Sequence, residues 1–175
     1  MKAQDIFTEM ELESQAHGDG HLSLWVSDIV AILDRLTGTL KVSLDRGAYM
    51  PERAHDTDAG YDLRTPLRVY LHAHSSAIVD TGVHIQLPPG KCAVVVSKSG
   101  LNVNHDITST GLIDEGFSGT IIVKLYNHGD KPYIFEPGEK VSQFYITDYY
   151  PCKIEIVDQV KGGDRGANGY GSTGR

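Results

Sequence analysis

Between His21 and Leu36 the apolar residues Leu22, Trp25, Val26, Ile29, Ile32, Leu33 and Leu36 recur at helical spacing, and Gly38 follows them. That pattern predicts one amphipathic helix with a glycine stop. The residues before it are acidic, carry a weaker helical hint at Ile6, Phe7 and Met10, and pass through Gly18-Asp19-Gly20, a hinge or loop. Past Gly38 the period changes. Leu40, Val42 and Leu44 alternate with polar residues, and short apolar or alternating runs follow at 67–71, 77–79, 83–87, 92–96, 120–126, 133–135, 141–146 and 154–157. These predict strands, separated by turn signals such as Pro88-Pro89-Gly90 and Pro137-Gly138. Many short strands with no helix between them predict an all-β sandwich, barrel or jelly roll.

The chain's 175 residues suit one domain with a core of its own. Its textures divide it into a partly helical N-terminal extension (1–38), a β-domain (39–160) and a C-terminal arm (161–175). Between Gly162 and Arg175 there are six glycines and almost no aliphatic residue, so this arm cannot build a core and is expected to be mobile. Composition alone leaves open whether it has a role.

A formal charge of −7 argues against broad nucleic-acid binding, which rests on clustered Lys and Arg. A phosphate site must therefore be local. No apolar run reaches the roughly 18 residues of a membrane span, and the acidic start (Asp5, Glu9, Glu11, Glu13) is unlike a signal peptide. Cys92 and Cys152 have neither metal-ligand spacing nor a disulfide framework, and are expected as two buried free thiols in a reducing cytoplasm. The eight histidines show no zinc spacing.

Candidate chemistry lies in five stretches. Thr57-Asp58-Ala59-Gly60-Tyr61-Asp62-Leu63 sets a carboxylate beside a glycine turn, either a site for a metal-bound water or an ordinary turn. Ser97-Lys98-Ser99-Gly100-Leu101 offers a cation, a hydroxyl and backbone N–H groups suited to phosphate, or simply ends a strand. Gly111-Leu112-Ile113-Asp114-Glu115-Gly116-Phe117-Ser118-Gly119 puts Asp114 at the mouth of a hairpin beside an aromatic ring, where it could also just bond its own backbone. Gly138-Glu139-Lys140-Val141-Ser142-Gln143-Phe144 opens a strand in which Gln143 is a phosphate donor or a surface amide. The tail Arg165-Gly166-Ala167-Asn168-Gly169-Tyr170-Gly171-Ser172-Thr173-Gly174 carries an Arg for phosphate, an aromatic for stacking and two hydroxyls on flexible glycines.

In this order, from Leu40 to the C-terminus, the five stretches resemble the motifs of the trimeric dUTPase family. The resemblance implies a β-clip jelly roll assembled as a homotrimer, with active sites shared between subunits. It implies hydrolysis of dUTP to dUMP and pyrophosphate by water attack on the α-phosphorus, which limits uracil in DNA and supplies dUMP for thymidylate synthesis. Asp114 would be the general base. Gly111, Leu112, Ile113 and Ile122 would surround uracil and read it through main-chain groups, leaving cytosine's opposite pattern unpaired. Phe117, in place of the usual Tyr, would pack on deoxyribose and exclude a 2′-hydroxyl. Lys98, Ser99, Gly100 and Gln143 would hold phosphates. In the closing arm, Tyr170 would stack on uracil while Arg165, Ser172 and Thr173 reach the triphosphate, with Gly171 also among the substrate-binding residues. Mg²⁺ would ride on the phosphates, with Asp62 at most a partner through water and no direct protein ligand.

Three departures from the family pattern predict altered constants rather than lost activity. Lys98 stands for the usual Arg and replaces a fork by a point charge, Thr108 occupies a position often held by a uracil-contacting Asn, and Asn168 replaces a glycine. The related dCTP deaminases need a Glu where this chain has Lys124. A regulatory binding protein on the same scaffold is a second alternative, in which the N-terminal helix docks an unknown protein partner instead of packing on the trimer.

Overall fold

In the segment Ile122–Asn127 every second residue is buried, with Val123, Leu125 and Asn127 inside and Ile122, Lys124 and Tyr126 outside. A strand with period two buries one face and solvates the other. The same logic shapes a mostly-β fold in the computed structural model, which describes residues 38–163 and 166. The expected helix at 21–36 and the arm residues Arg165, Asn168, Tyr170, Gly171, Ser172 and Thr173 lie outside the described residues.

The elements run β1 (Lys41–Leu44), β2 (Tyr61–Arg64), β3 (Val69–Leu71), β4 (Ser75–Asp80), β5 (Val83–Gln86), β6 (Lys91–Val96), α1 (Ser99–His105), β7 (Ile107–Ile113), β8 (Ile122–Asn127), β9 (Tyr133–Phe135) and β10 (Lys140–Asp148). Three of these correct the reading from sequence. Asp62 and Leu63 belong to a strand rather than a free turn, α1 interrupts the strands, and β7 precedes the Asp114 turn. Two expectations fail outright. Residues 154–157 form no strand and leave Ile154 and Ile156 almost fully exposed, and Cys152 is exposed while Cys92 is buried.

Six strands form one curled sheet in the order β2-β10-β6-β7-β8-β4, flanked by the pairs β1-β5 and β3-β9. The curl centres on β7. Its first residues pair with β8 (Ile107↔Asn127 to Ser109↔Leu125), and its last pair with β6 (Thr110↔Val96 to Ile113↔Ala93). Where β6 stops, the Ser97 side chain continues the ladder, its hydroxyl accepting from the Ser109 N–H at 2.9 Å and donating to the Ser109 carbonyl at 3.2 Å.

β10 carries a bulge. Lys140 lies opposite Arg64, yet Ser142 lies opposite Leu63, so one extra residue is inserted. Residues directly opposite share a face, and alternate residues of a strand share a face. The insertion therefore brings Lys140 and Gln143, three apart in sequence, onto the face that holds Asp62 and Arg64. The other face, with Leu63, Phe144 and Val95, looks into the core.

That core gathers Leu63, Leu71, Leu125, Phe135, Val141 and Phe144, each at most 1% exposed. Phe144 is stacked on Tyr61 at 5.3 Å between ring centroids. Buried polar groups are satisfied: Ser109 and Ser142 share a 2.8 Å hydroxyl bond, and Asn127 donates to the Lys131 carbonyl at 2.9 Å and accepts from the Gly129 N–H at 3.0 Å. Removing the Phe144 ring leaves a cavity in a closely packed centre. Phe144→Ala should lower stability by about 3–5 kcal/mol, to be measured as the shift in urea unfolding against the wild type.

Candidate active site

The polar face of the sheet carries the first cluster. Asp62 is buried, with Oδ2 2.5 Å from Lys140 Nζ and Oδ1 bonded by Lys98 Nζ. Lys98 reaches it from the end of β6, and Lys140 through the bulge in β10. Burial alone pushes the Asp62 carboxyl up, but the bonds and charges of Lys140 and Lys98 outweigh it and hold the group below its ordinary value of 3.8. A carboxylate so paired is an anchor for two cations.

Gln143 completes this cradle. Its Nε2 donates to the Ser97 carbonyl at 3.1 Å. A Cβ placed on Gly60 would stand 2.6 Å from Gln143 Oε1, so glycine at this position is what lets the amide lie across β2. Ser99 and Gly100 open α1, are both exposed, and belong to the first turn, whose N–H groups have no acceptor within a helix. A Cβ on Gly100 would meet nothing within 4 Å, so open space lies above it.

A second site lies where β7 and β8 part, in a cleft of about 180 Å³ lined by Val95, Gly111, Leu112, Ile113, Asp114, Phe117, Thr120, Ile121 and Ile122. The backbone explains its chemistry. The Ser109 N–H and C=O turn toward Ser97, on the β6 side. Alternation then turns those of Leu112 the other way, toward β8. The Ile121 N–H bonds Val83 and its carbonyl is held by Thr81, so alternation turns the groups of Ile122 toward β7. Leu112 and Ile122 would be ladder partners if the pairing continued, but it ends at Ser109↔Leu125. The cleft is thus a slot between two strand edges, floored by Val95 under the missing side chain of Gly111, whose added Cβ would lie 3.4 Å from the Val95 Cβ.

Asp114 and Phe117 stand at the slot's mouth. The Phe117 N–H donates to the Asp114 carbonyl at 3.2 Å, and Gly116 at φ +87° supplies the left-handed residue such a turn needs. The Phe117 ring lies over Gly119, where an added Cβ would stand 2.6 Å from Cζ. Asp114 is exposed, so its carboxylate is open to a ligand.

The candidates from sequence thus fall into two groups. Gly111, Leu112, Ile113, Asp114, Phe117 and Ile122 share the slot; Asp62, Lys98 and Gln143 share the cradle, with Ser99 and Gly100 directly following. Thr108 lines neither, its hydroxyl lying 2.8 Å from His128 Nε2. The expected water-mediated link from Asp62 to Mg²⁺ is opposed by two ammonium groups already bound to its oxygens. Sequence reading passed over Lys140, although it lies in the stretch quoted for Gln143, because a bulge is needed to put the two on one face. It also passed over Val95 and Ile121, whose signal was only that of core residues.

Register places the two groups apart. Asp62, Gln143, Val96 and Thr110 are opposite one another and share a face, whereas Phe144, Val95 and Gly111 share the other. Cradle and slot floor therefore sit on opposite faces of the sheet.

A family model described as dUTPase matches residues 46–174. The chain is 40% identical over 134 residues to a deoxyuridine 5′-triphosphate nucleotidohydrolase of Clostridium acetobutylicum, spanning 75% of this chain and 92% of that protein. Among solved structures it is similar to the dUTPase of Staphylococcus bacteriophage 80alpha with dUpNHpp, at a TM-score of 0.74 and 28% identity, covering 79% of this chain and all of that one. A mutant dUTPase from phage phi11 of S. aureus, described with a structural Mg(II) ion, is similar at a TM-score of 0.66 and 25% identity over 71% of this chain and 100% of that one.

Removing the anchor strands both lysines. Asp62→Asn should cost about 1.5–3 kcal/mol near neutral pH, since the lysines left behind are partly exposed. Because the folded carboxyl titrates below 3.8, its stabilisation is full above that pH and is lost only as pH falls further, through the folded value. Urea unfolding of wild type and variant should therefore differ by a constant amount down to pH 3.8 and converge below it. A gap that closes near neutrality would contradict the pairing.

Proposed function

The chain belongs to the dUTPase family and hydrolyses dUTP to dUMP and pyrophosphate, and from that premise we propose how its residues divide the reaction. The observation that carries the reading is the parted ladder. A slot between strand edges presents N–H and C=O groups of Leu112 and Ile122 to a flat ring whose own edge alternates donor and acceptor, as uracil's does. Cytosine reverses part of that pattern and would leave buried backbone groups unpaired, which is how such a site rejects it. Lys124, exposed on β8 with its Nζ 5.4 Å from the Tyr126 ring centroid, supplies no carboxylate for deamination.

Phe117, at the mouth, packs against deoxyribose and fills the room a 2′-hydroxyl needs. Asp114 beside it accepts a proton from water; the hydroxide attacks the α-phosphorus in line, the bond to the bridging oxygen breaks, and pyrophosphate leaves. The triphosphate meets Lys98, Ser99, Gly100 and Gln143. Asp62, itself bonded by Lys140, holds Lys98 in place, so a lysine serves with its flexibility restrained. Mg²⁺, bound through the substrate's phosphates, would supply positive charge that offsets charge on the reacting oxygens, while Lys98 and Gln143 orient the phosphates.

The opposed faces of cradle and slot support a further step. A nucleotide in the slot of one subunit cannot reach the cradle of the same sheet, so the phosphate residues serve a neighbouring subunit's slot in a homotrimer. The arm, through Arg165, Tyr170, Gly171, Ser172 and Thr173, closes the assembled site and excludes water.

Pyrophosphate release compared for dUTP, dCTP, dTTP and UTP with Mg²⁺ should favour dUTP by at least about a hundredfold in kcat/KM. Equal turnover of all four would reject the slot as the selector. Asp114→Asn should keep nucleotide affinity, measured by calorimetry, while kcat falls by roughly 10²–10⁴; normal turnover by that variant would reject the base. Deleting residues 165–175 should cut kcat by about 10² or more while light scattering still reports a trimer, and an unaffected kcat would remove the arm from the mechanism.

A further inference from the structure

The loop from Asp114 to Gly119 hangs between two supports. On one flank the Glu115 carboxylate accepts from the Gly90 N–H at 2.7 Å and from the Tyr149 hydroxyl at 2.6 Å. On the other flank stands His84 of β5, with Nδ1 2.8 Å from the Ser118 carbonyl oxygen and Nε2 3.3 Å from Asp45 Oδ1. Ser118 lies between Phe117 and the glycine that the Phe117 ring overhangs. The same stretch of chain also holds the next part of the loop: Thr81 Oγ1 donates to the Ile121 carbonyl and the Ile121 N–H donates to Val83, both at 2.8 Å. Of these three contacts on the outgoing leg, only the one from His84 comes from a group that gains or loses a proton near neutral pH.

We propose that His84 is a positioning residue for Phe117, clamping the Ser118 carbonyl so that the aromatic ring stays seated against the sugar. The proposal rests on the dUTPase reading of the slot. The Ser118 carbonyl only accepts, so Nδ1 must carry a hydrogen. An ionised Asp45 also only accepts, so Nε2 must carry one too, and imidazolium alone satisfies both. Neutral imidazole with its hydrogen on Nδ1 turns a lone pair toward the Asp45 carboxylate. With the hydrogen on Nε2 it abandons Ser118.

The charged groups facing the ring favour the cation. Asp45 comes from the end of β1 and Asp80 from the end of β4. Lys41 of β1 opposes them, lining with His84 and Ser118 a cleft of about 300 Å³. His84 accordingly titrates above its ordinary value, raised first by the Ser118 carbonyl, opposed by desolvation, and raised again by Asp45 and Asp80. The sign follows: the clamp is whole below the ordinary value of 6.5 and weakens as pH rises through the elevated one.

The test is steady-state kinetics of the full chain with dUTP across the neutral range, for wild type, His84→Ala, His84→Gln and Asp45→Asn. Losing one such bond should raise KM about fivefold with little change in kcat. In the wild type KM rises through the His84 titration. His84→Ala shows the high value at every pH, His84→Gln keeps a donor for Ser118 and shows a lower value without that step, and Asp45→Asn moves the step to lower pH. A His84→Ala protein with the wild-type KM and profile would overturn the clamp, as would a step that survives in His84→Gln. Nuclear magnetic resonance of the Phe117 ring protons and the Gly119 amide gives a readout free of turnover: both should shift with pH in the wild type and not in His84→Gln. Wild-type protein that fails to turn over dUTP but shows the shift would count against the nucleotide reading alone, and absence of the shift would sink the clamp whatever the activity.

Discussion

β7 is held by two neighbours in succession rather than by both throughout, and the backbone groups left over where β8 departs need partners. Buried N–H and C=O groups without partners are costly, so a gap in a ladder is filled by side chains, by water or by a ligand. On the β6 side this protein fills the gap itself, with the Ser97 hydroxyl bonding both backbone groups of Ser109. On the β8 side Leu112 and Ile122 are left facing a cleft of about 180 Å³. The cleft follows from the same geometry that curls the sheet, and in the proposed mechanism its selectivity rests on main-chain groups. Side-chain substitutions on these strands can change its shape more readily than its hydrogen-bond code.

Strand parity governs the rest. The bulge in β10 sets Lys140 on the face of Asp62 and Gln143, and without the inserted residue its ammonium would start from the core side of the sheet. Parity also sends the slot floor to the opposite face from this cradle. A single subunit therefore holds the slot and the cradle on opposite faces of one sheet. In the proposed mechanism the slot of one subunit and the cradle of another come together by association, which would give an oligomer a chemical role as well as a stabilising one.

Elements with apolar inward positions were legible in the sequence. β8 and β9 follow the alternation closely, and the expected run at 92–96 differs from β6 by one residue. β7 was not legible as a strand, because one of its inward positions is Ser109, which pairs with Ser142 instead of contributing apolar surface. β2 hid for a similar reason, with Asp62 buried by two lysines beside Leu63. α1 has no apolar stripe at all: Leu101 is its one buried residue and Val103 is 79% exposed. At 154–157 the opposite error arose, an alternating pattern with no covering partner among the described residues. Of the candidate site, the stretches that supply the slot and the cradle were legible from motifs. Their grouping was not, since it depends on register and on one inserted residue.

Four polar side chains near the slot and the cradle share one property: each is bonded to an element distant in sequence. Ser109 joins β7 to β10, Ser97 joins the end of β6 to β7, Asp62 joins β2 to both lysines, and Thr81 ties the segment between β4 and β5 to Ile121. An apolar side chain in these positions would gain similar burial but could slide, because dispersion contacts are weakly directional. A hydrogen bond fixes both distance and angle. The positions that blur the sequence pattern are thus the ones that set register beside the slot and the cradle, where, in the proposed mechanism, a small displacement of Asp114 or Lys98 would misalign the reacting groups. Stability and function draw on the same bonds, and for that reason this part of the fold is hardest to read from hydrophobicity alone.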